Sequence, residues 1–259
     1  MPTSKISWAG APGQIPEAVN FLTWNCNKVS PGCKHCYAQT HSLKYPQNSA
    51  GGQFLGAPLL RENAFEELRL TKPGTVLFVN THSDTFHESV SFGWIKLMFQ
   101  HMNQRPDLIF LLLTKRPQIA LQHAPNLNWT DNIWLGTSIE SQQYYGRLET
   151  LVKTPARNKF ISFEPLLGAI QPDALLNGVQ WIITGAESGE NRRPFGLQWA
   201  IDIKNFCQRS SIPFYYKQGS SIFPDQNRLM EGREYNERPA QFELLHTQYR
   251  VNAEQKPLF

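Results

Sequence analysis

The chain has 259 residues, 41% hydrophobic and 18% charged, which suits a soluble globular protein of one large domain or two small ones. Its longest aliphatic-aromatic stretch, Leu108 to Leu113, is too short to cross a bilayer, and "MPTSKISWAGAPGQ" has no apolar leader core. A cytoplasmic protein with no membrane partner is therefore expected. The net charge of +4 contains no Lys/Arg run and favours an anionic partner only mildly.

In chain order, "NFLTWNC" (20–26) reads as a first strand that runs into a cysteine loop, and "KYPQNSAGGQFLGAP" (44–58) reads as a mobile, loop-like insertion. Short β-branched and aromatic runs follow at 75–80, 108–114, 133–139, 159–165, 179–185 and 213–218. Their near-continuous apolarity fits strands buried on both faces, as in a parallel sheet covered by helices. Between them lie helical periods. Ser91 is placed to cap one helix that sets Trp94, Leu97, Met98 and Met102 on one face; 144–154 and 197–210 show the same period.

Six or seven such units predict an α/β fold, a partial (β/α) barrel over residues 1–219. An open doubly wound sheet is the alternative, which periodicity does not separate. Residues 220–259 are polar and read as an extension packed as a flap on the barrel mouth.

Both architectures put function at the carboxyl ends of the strands. The polar residues there are the site candidates. Glu164, Glu187 and Lys115 are the candidates for catalysis. Two carboxylates on adjacent strand ends can hold ribose hydroxyls or an ammonium, or act as acid and base; equally, they can close salt bridges with Arg192, Arg193 or Lys217. Asn80, Ser83, Asp84, Arg116, Ser138, Glu140 and Lys217 are candidates for cofactor binding, Arg116 through its two-pronged fork for carboxylate or phosphate. Asp84, His87 and Glu88 bear metal-binding side chains, yet also suit the first turn after a strand. Trp8, Trp24 and Trp134 suit either a stacked base or barrel core.

Cys26, Cys33 and Cys36 crowd three of the chain's four cysteines into eleven positions, spaced Cys-x6-Cys-x2-Cys. In a reducing compartment such a cluster binds metal or does redox work more often than it forms disulfides. Pro31 and Gly32 turn the loop just before Cys33. Three thiolates from one loop suit a cubane iron–sulfur cluster whose fourth iron has no protein ligand. An iron so exposed can grip S-adenosylmethionine by its amine and carboxylate. Zinc is the other reading, with Cys207, His35 or His41 as fourth ligand, although Cys207 falls on an apolar helix face with Ala200, Ile203 and Phe206.

The order of "SKISWAG", "TWNCNKVSPGCKHCYA", "VLFVNTHSDTFHE", "LLLTKRP", "NIWLGTSIE", "FISFEPLLGAI", "WIITGAESG" and "PFYYKQG" resembles the phage-associated three-Cys-motif family, itself similar to radical S-adenosylmethionine enzymes. The resemblance covers roughly Ser4 to Pro239. It implies a radical-SAM-like barrel with a [4Fe-4S] cluster on Cys26, Cys33 and Cys36 and with S-adenosylmethionine beside it. His35 would occupy the place near the adenine, with Tyr37 next to it. The first cysteine gap is longer than the common x3, and His82 replaces the usual residue of the strand-end motif. The implied activity is formation of a 5′-deoxyadenosyl radical that abstracts hydrogen from substrate, a nucleotide or nucleic acid by the phage link and basicity. A reducing electron donor and a partner protein encoded nearby are implied as well. Two other classes stay open on the residues alone: a non-catalytic zinc or iron–sulfur phage module that binds nucleic acid or a partner protein, and a hydrolase that uses Glu164 and Glu187.

Overall fold

The computed structural model describes residues 6–254; residues 1–5 and 255–259, the outer ends of the two expected units, lie outside the described residues. One sheet takes its strands in chain order: β1 Glu17–Val19, β2 Val76–Val79, β3 Ile109–Thr114, β4 Ile133–Ser138, β5 Asn158–Phe163, β6 Trp181–Gly185 and β7 Phe214–Gln218. Every neighbouring pair is parallel, and the sheet curls into a half-barrel. The helices are α1 Tyr37–Lys44, α2 Asn63–Arg69, α3 Phe92–Asn103, α4 Pro117–His123, α5 Gly146–Val152, α6 Leu197–Arg209 and α7 Ala240–Glu254. The chain is thus an α/β protein with a partial (β/α) barrel.

The apolar runs become strands because successive side chains point to opposite faces, and here both faces are buried. Leu77, Phe110, Leu112, Leu135, Ile161, Ile182 and Tyr216 pack outward under the helices. Phe78, Ile109, Leu111, Trp134, Phe160, Trp181, Ile183 and Tyr215 point into the concave interior. Trp8, 2% exposed, fills that interior, with its ring edge-on to Phe78 at 5.2 Å, Trp181 at 5.8 Å and Phe160 at 6.0 Å. Gly136 makes room for this packing, since a Cβ there would lie 2.5 Å from the Phe160 ring.

Four expectations are corrected. The first strand is Glu17–Val19, in register with Leu77–Val79, not residues 20–26. The chain leaves the sheet at Asn20 because Thr23 and Asn25 take up local bonds: Asn25 binds the Ala50 N–H and the Ala50 and Gln53 carbonyls, at 2.7, 3.2 and 2.8 Å. The segment 44–58 is therefore no free insertion. Phe54 is buried and its carbonyl accepts from the Cys26 N–H at 3.0 Å. In α3 Ser91 does cap, accepting from the Trp94 N–H at 3.3 Å, but the buried face is Ile95, Met98, Phe99 and Met102.

The tail, finally, is only partly at the mouth. Ser221 bridges Ser188 beyond β6, and Asp225 binds Gln218 at the end of β7. The chain then descends antiparallel to β7, with the Tyr216 N–H on the Tyr235 carbonyl at 2.8 Å. Helix α7 ends up under the opposite, amino end. Phe242 is fully buried against Trp134 at 5.1 Å and Trp181 at 5.3 Å. Burial of aromatic surface at the barrel floor outweighs what a polar mouth offers an apolar side chain.

Candidate functional site

At the carboxyl ends of the strands lies a cavity of about 270 Å³. Cys26, Cys33 and Cys36 all border it, as do Lys115, Arg116, Glu164, Glu187 and Lys217 from the strand ends. His35, Tyr37, Asn80, Ser83, Asp84 and Ser138 complete its polar wall, while Trp8, Phe54, Phe78 and Leu113 form an apolar floor. The fold therefore brings together every candidate except Glu140.

Glu140 is fully buried beneath the cysteine loop instead. Its Oε1 accepts from the Ser30 hydroxyl at 2.6 Å and lies 3.7 Å from Lys115 Nζ; its Oε2 accepts from Arg147 at 2.9 Å. Gly32 rests directly on this carboxylate, where a Cβ would come within 2.4 Å of Oε1. The expected role in cofactor contact is thus replaced by that of an anchor: a buried carboxylate must be paired, and its partners hold the loop.

The cysteine loop is built for a tight turn. Cys26 lies seven residues past Val19 rather than at a strand end. A 3-10 turn over Pro31–Cys33 follows, with the Cys33 N–H on the Ser30 carbonyl at 2.9 Å, and Cys36 starts α1 as its N-cap residue. Arg193 donates to the Pro31 carbonyl at 2.9 Å and Arg116 to that of Asn27 at 3.3 Å, so two strand-end loops grip this one. All three thiols are half-buried and free.

Charges around the thiols differ in effect. Burial alone would raise the Cys33 thiol, but Lys115 and hydrogen bonds from the backbone of Val29 and Ser30 outweigh it and hold it below its ordinary value. Burial, with Asp84 adding to it, pushes Cys26 up to about 12 despite an Arg116 N–H at 3.7 Å from its sulfur. Arg116, 3% exposed, is locked to Asp84 at 3.1 Å and Glu88 at 2.6 Å. Asp84 is itself filled by Thr114, the Phe86 N–H and the Lys115 N–H, which makes it a brace. Asn80 is another, at a left-handed φ of 54°, its side chain bonded to Leu22 and Thr85.

Both strand-end carboxylates form ion pairs. Glu187 is bound by Arg193 at 2.5 and 2.9 Å and by His35 Nδ1 at 3.2 Å; burial opposes its ionisation, and these bonds overcome it and lower it. Glu164 Oε1 lies 3.2 Å from Lys217 Nζ, and its Oε2 accepts from Ser162 and, at 2.8 Å, from Trp8 Nε1. That last contact spans 156 residues and links the barrel's central ring to its mouth. Beside them Tyr37 donates to the Thr81 carbonyl, and the buried Ser83 hydroxyl has no hydrogen-bond partner among the described residues.

Asp84, His87 and Glu88 do not assemble as metal ligands, since Arg116 claims both carboxylates and His87 is buried with Nδ1 accepting from the Ser89 N–H. Cys207 sits buried in α6 within the main hydrophobic core, its thiol pushed up to about 12 by burial, and does not border the cavity. Among the described residues no three His, Cys, Asp or Glu side chains gather tightly enough to chelate one ion. Trp134 is core; Trp24 stacks on His82 at 3.9 Å beside the mouth. Sequence reasoning missed the Arg147 and Ser30 partners of Glu140 and the Trp8–Glu164 bond, because nothing local in sequence signals a pairing across the barrel.

The molecule is, in class, an α/β half-barrel whose mouth is walled by three thiols of one loop and by paired charges from the strand ends. It belongs to the family DUF5131, described as a protein of unknown function, whose family model matches residues 3–242. Comparison with curated proteins and with solved structures gives no match. Among the described residues no helix is long and apolar enough to cross a membrane.

Proposed function

We propose that this protein is an iron–sulfur enzyme of the radical S-adenosylmethionine type, with a radical-SAM-like barrel. The observation that carries the proposal is that three free thiols from one loop border a single strand-end cavity whose wall contains no fourth cysteine. A donor set of three thiolates fits a cubane cluster with one iron left for a ligand; zinc would need a fourth donor, and His35 on the same wall has its Nδ1 on Glu187 at 3.2 Å. When bound, such a cluster supplies one electron that splits S-adenosylmethionine and yields a 5′-deoxyadenosyl radical.

Cys26, Cys33 and Cys36 would hold the cluster. Lys115 favours the Cys33 thiolate, and Arg116 donates to the Cys26 sulfur; both offset the negative charge of three thiolates. Glu164, oriented by Trp8 and Lys217, and Glu187, kept ionised by Arg193, offer fixed carboxylates for an ammonium or for ribose hydroxyls. The apolar floor of Trp8, Phe54, Phe78 and Leu113 excludes water from the reacting end.

Anaerobic reconstitution with iron and sulfide, followed by EPR of the reduced protein with and without S-adenosylmethionine, tests this. A cluster signal that changes on addition is expected, and Cys33→Ala should lose the iron and sulfide. Full loading in that variant would sink the assignment. Bound zinc with no cluster would make the loop a structural staple and the protein a binding module.

A further inference from the structure

The charge that looks thin along the chain is concentrated in space. Residues 18–61 contain Lys28, Lys34, Lys44 and Arg61 and no Asp or Glu. The remaining 21 Lys and Arg balance the 21 Asp and Glu, so this one segment carries the whole excess of +4. Arg61 is engaged by Glu67 and the Asn20 carbonyl. Lys28, Lys34 and Lys44 are exposed, and among the described residues they form no ion pair. They sit on the cysteine loop and α1, beside the cavity mouth.

Alongside them runs a ledge of aromatic rings. Tyr37 and His82 both border the cavity and meet edge-on at 5.7 Å. His82 stacks on Trp24 at 3.9 Å, and Trp24 meets Tyr45 at 6.3 Å. His41 joins the row through a 3.1 Å bond between its Nδ1 and His82 Nε2. Tyr37 and Tyr45 remain 46% and 41% exposed, although large rings on a monomer surface gain from burial. The ledge is rigid: the Trp24 N–H donates to the Asn48 carbonyl and its carbonyl accepts from Ser49. Lys44 lies 5.4 Å over the Tyr45 ring.

We propose that this ledge binds single-stranded nucleic acid and leads it to the cavity mouth. Exposed rings offer stacking faces to bases, which a duplex keeps hidden; the acid-free lysines neutralise phosphates. The eight residue steps from Tyr37 to Tyr45 span about 12 Å along α1, room for about three nucleotides at the 3.4 Å rise of a stacked strand. Polyglutamate would use the lysines but has no aromatic ring to stack on the ledge.

Fluorescence anisotropy with a labelled single-stranded DNA of about 12 nucleotides tests this, against the matching duplex and polyglutamate, in a salt series from about 50 mM. The single strand is expected to bind in preference to both. Tyr45→Ala should weaken it roughly 5- to 150-fold, the range for removing one base stack. Lys28→Ala with Lys34→Ala should weaken it and reduce the salt slope by about 0.7 for each phosphate no longer neutralised. These side chains are exposed, so unchanged circular dichroism is expected to accompany the weaker binding. No binding at the lowest salt, indifference to Tyr45→Ala, or equal binding of duplex or polyglutamate overturns the proposal. Tyr45 is outside the thiol site, and Tyr45→Ala should keep its iron and sulfide, so failure here is distinguishable from failure of the cluster assignment.

Discussion

The two ends of the half-barrel are built on opposite principles. At the amino end Trp134, Trp181 and Phe242 close the floor with rings in edge contact, and stability there is a matter of filled volume. At the carboxyl end Asp84, Glu140 and Glu187 are buried too, but each is held by cations and by donors from distant loops. The floor is adhesive, whereas the mouth is positional. Trp8 joins them, with its ring in the core and its N–H on Glu164.

The separation can be broken from the floor first. Trp181→Ala should cost about 3–5 kcal/mol in urea unfolding, the ordinary penalty for removing a fully buried ring, while the folded variant keeps wild-type reactivity of Cys33 toward a thiol reagent. If its thiols change as much as its stability does, floor and mouth are one unit. Gly32→Ala is the converse. Its Cβ has to displace the Glu140 carboxylate, for about 1–3 kcal/mol of overpacking, and thiol reactivity should change sharply as the loop lifts.

Last comes a pH dependence, at most about 2 kcal/mol over the range from pH 6.5 to 5. Burial and His41 lower His82 to about 3, from 6.5. With the folded value depressed, both states are neutral above pH 6.5 and the full contribution is present there. As pH falls from 6.5 towards 3 the unfolded chain takes up the proton first, and stability drops by at most about 1.4 kcal/mol per pH unit. His82→Phe keeps a ring against Trp24 and should flatten that slope between pH 6.5 and 5; a slope that persists assigns it to other groups of the mouth.

Much of this was legible along the chain. Six strands announce themselves because a strand buried on both faces must be apolar at every position. Their polar last residues name the cavity wall almost completely. β1 was not legible, since Glu17–Val19 offers three residues and its status as a strand depends on Leu77–Val79 beside it. Nor was the place of α7, whose buried Phe242 carries no mark of which end of the barrel it will seal.

What the sequence by itself determined is the alternation of strand and helix, the clustering of three thiols in one turn, and the acid-free segment around them. These are local properties, set by side-chain period, by Pro31 and Gly32, and by composition. Tertiary structure alone decided which charges meet: Glu140 beneath Gly32, Arg193 on Glu187 and Pro31, Trp8 on Glu164, and Lys28, Lys34 and Lys44 beside one ledge of rings. The physical reason is that a buried charge is tolerated only with its partner, and the partner is chosen by which strand ends the curled sheet brings together.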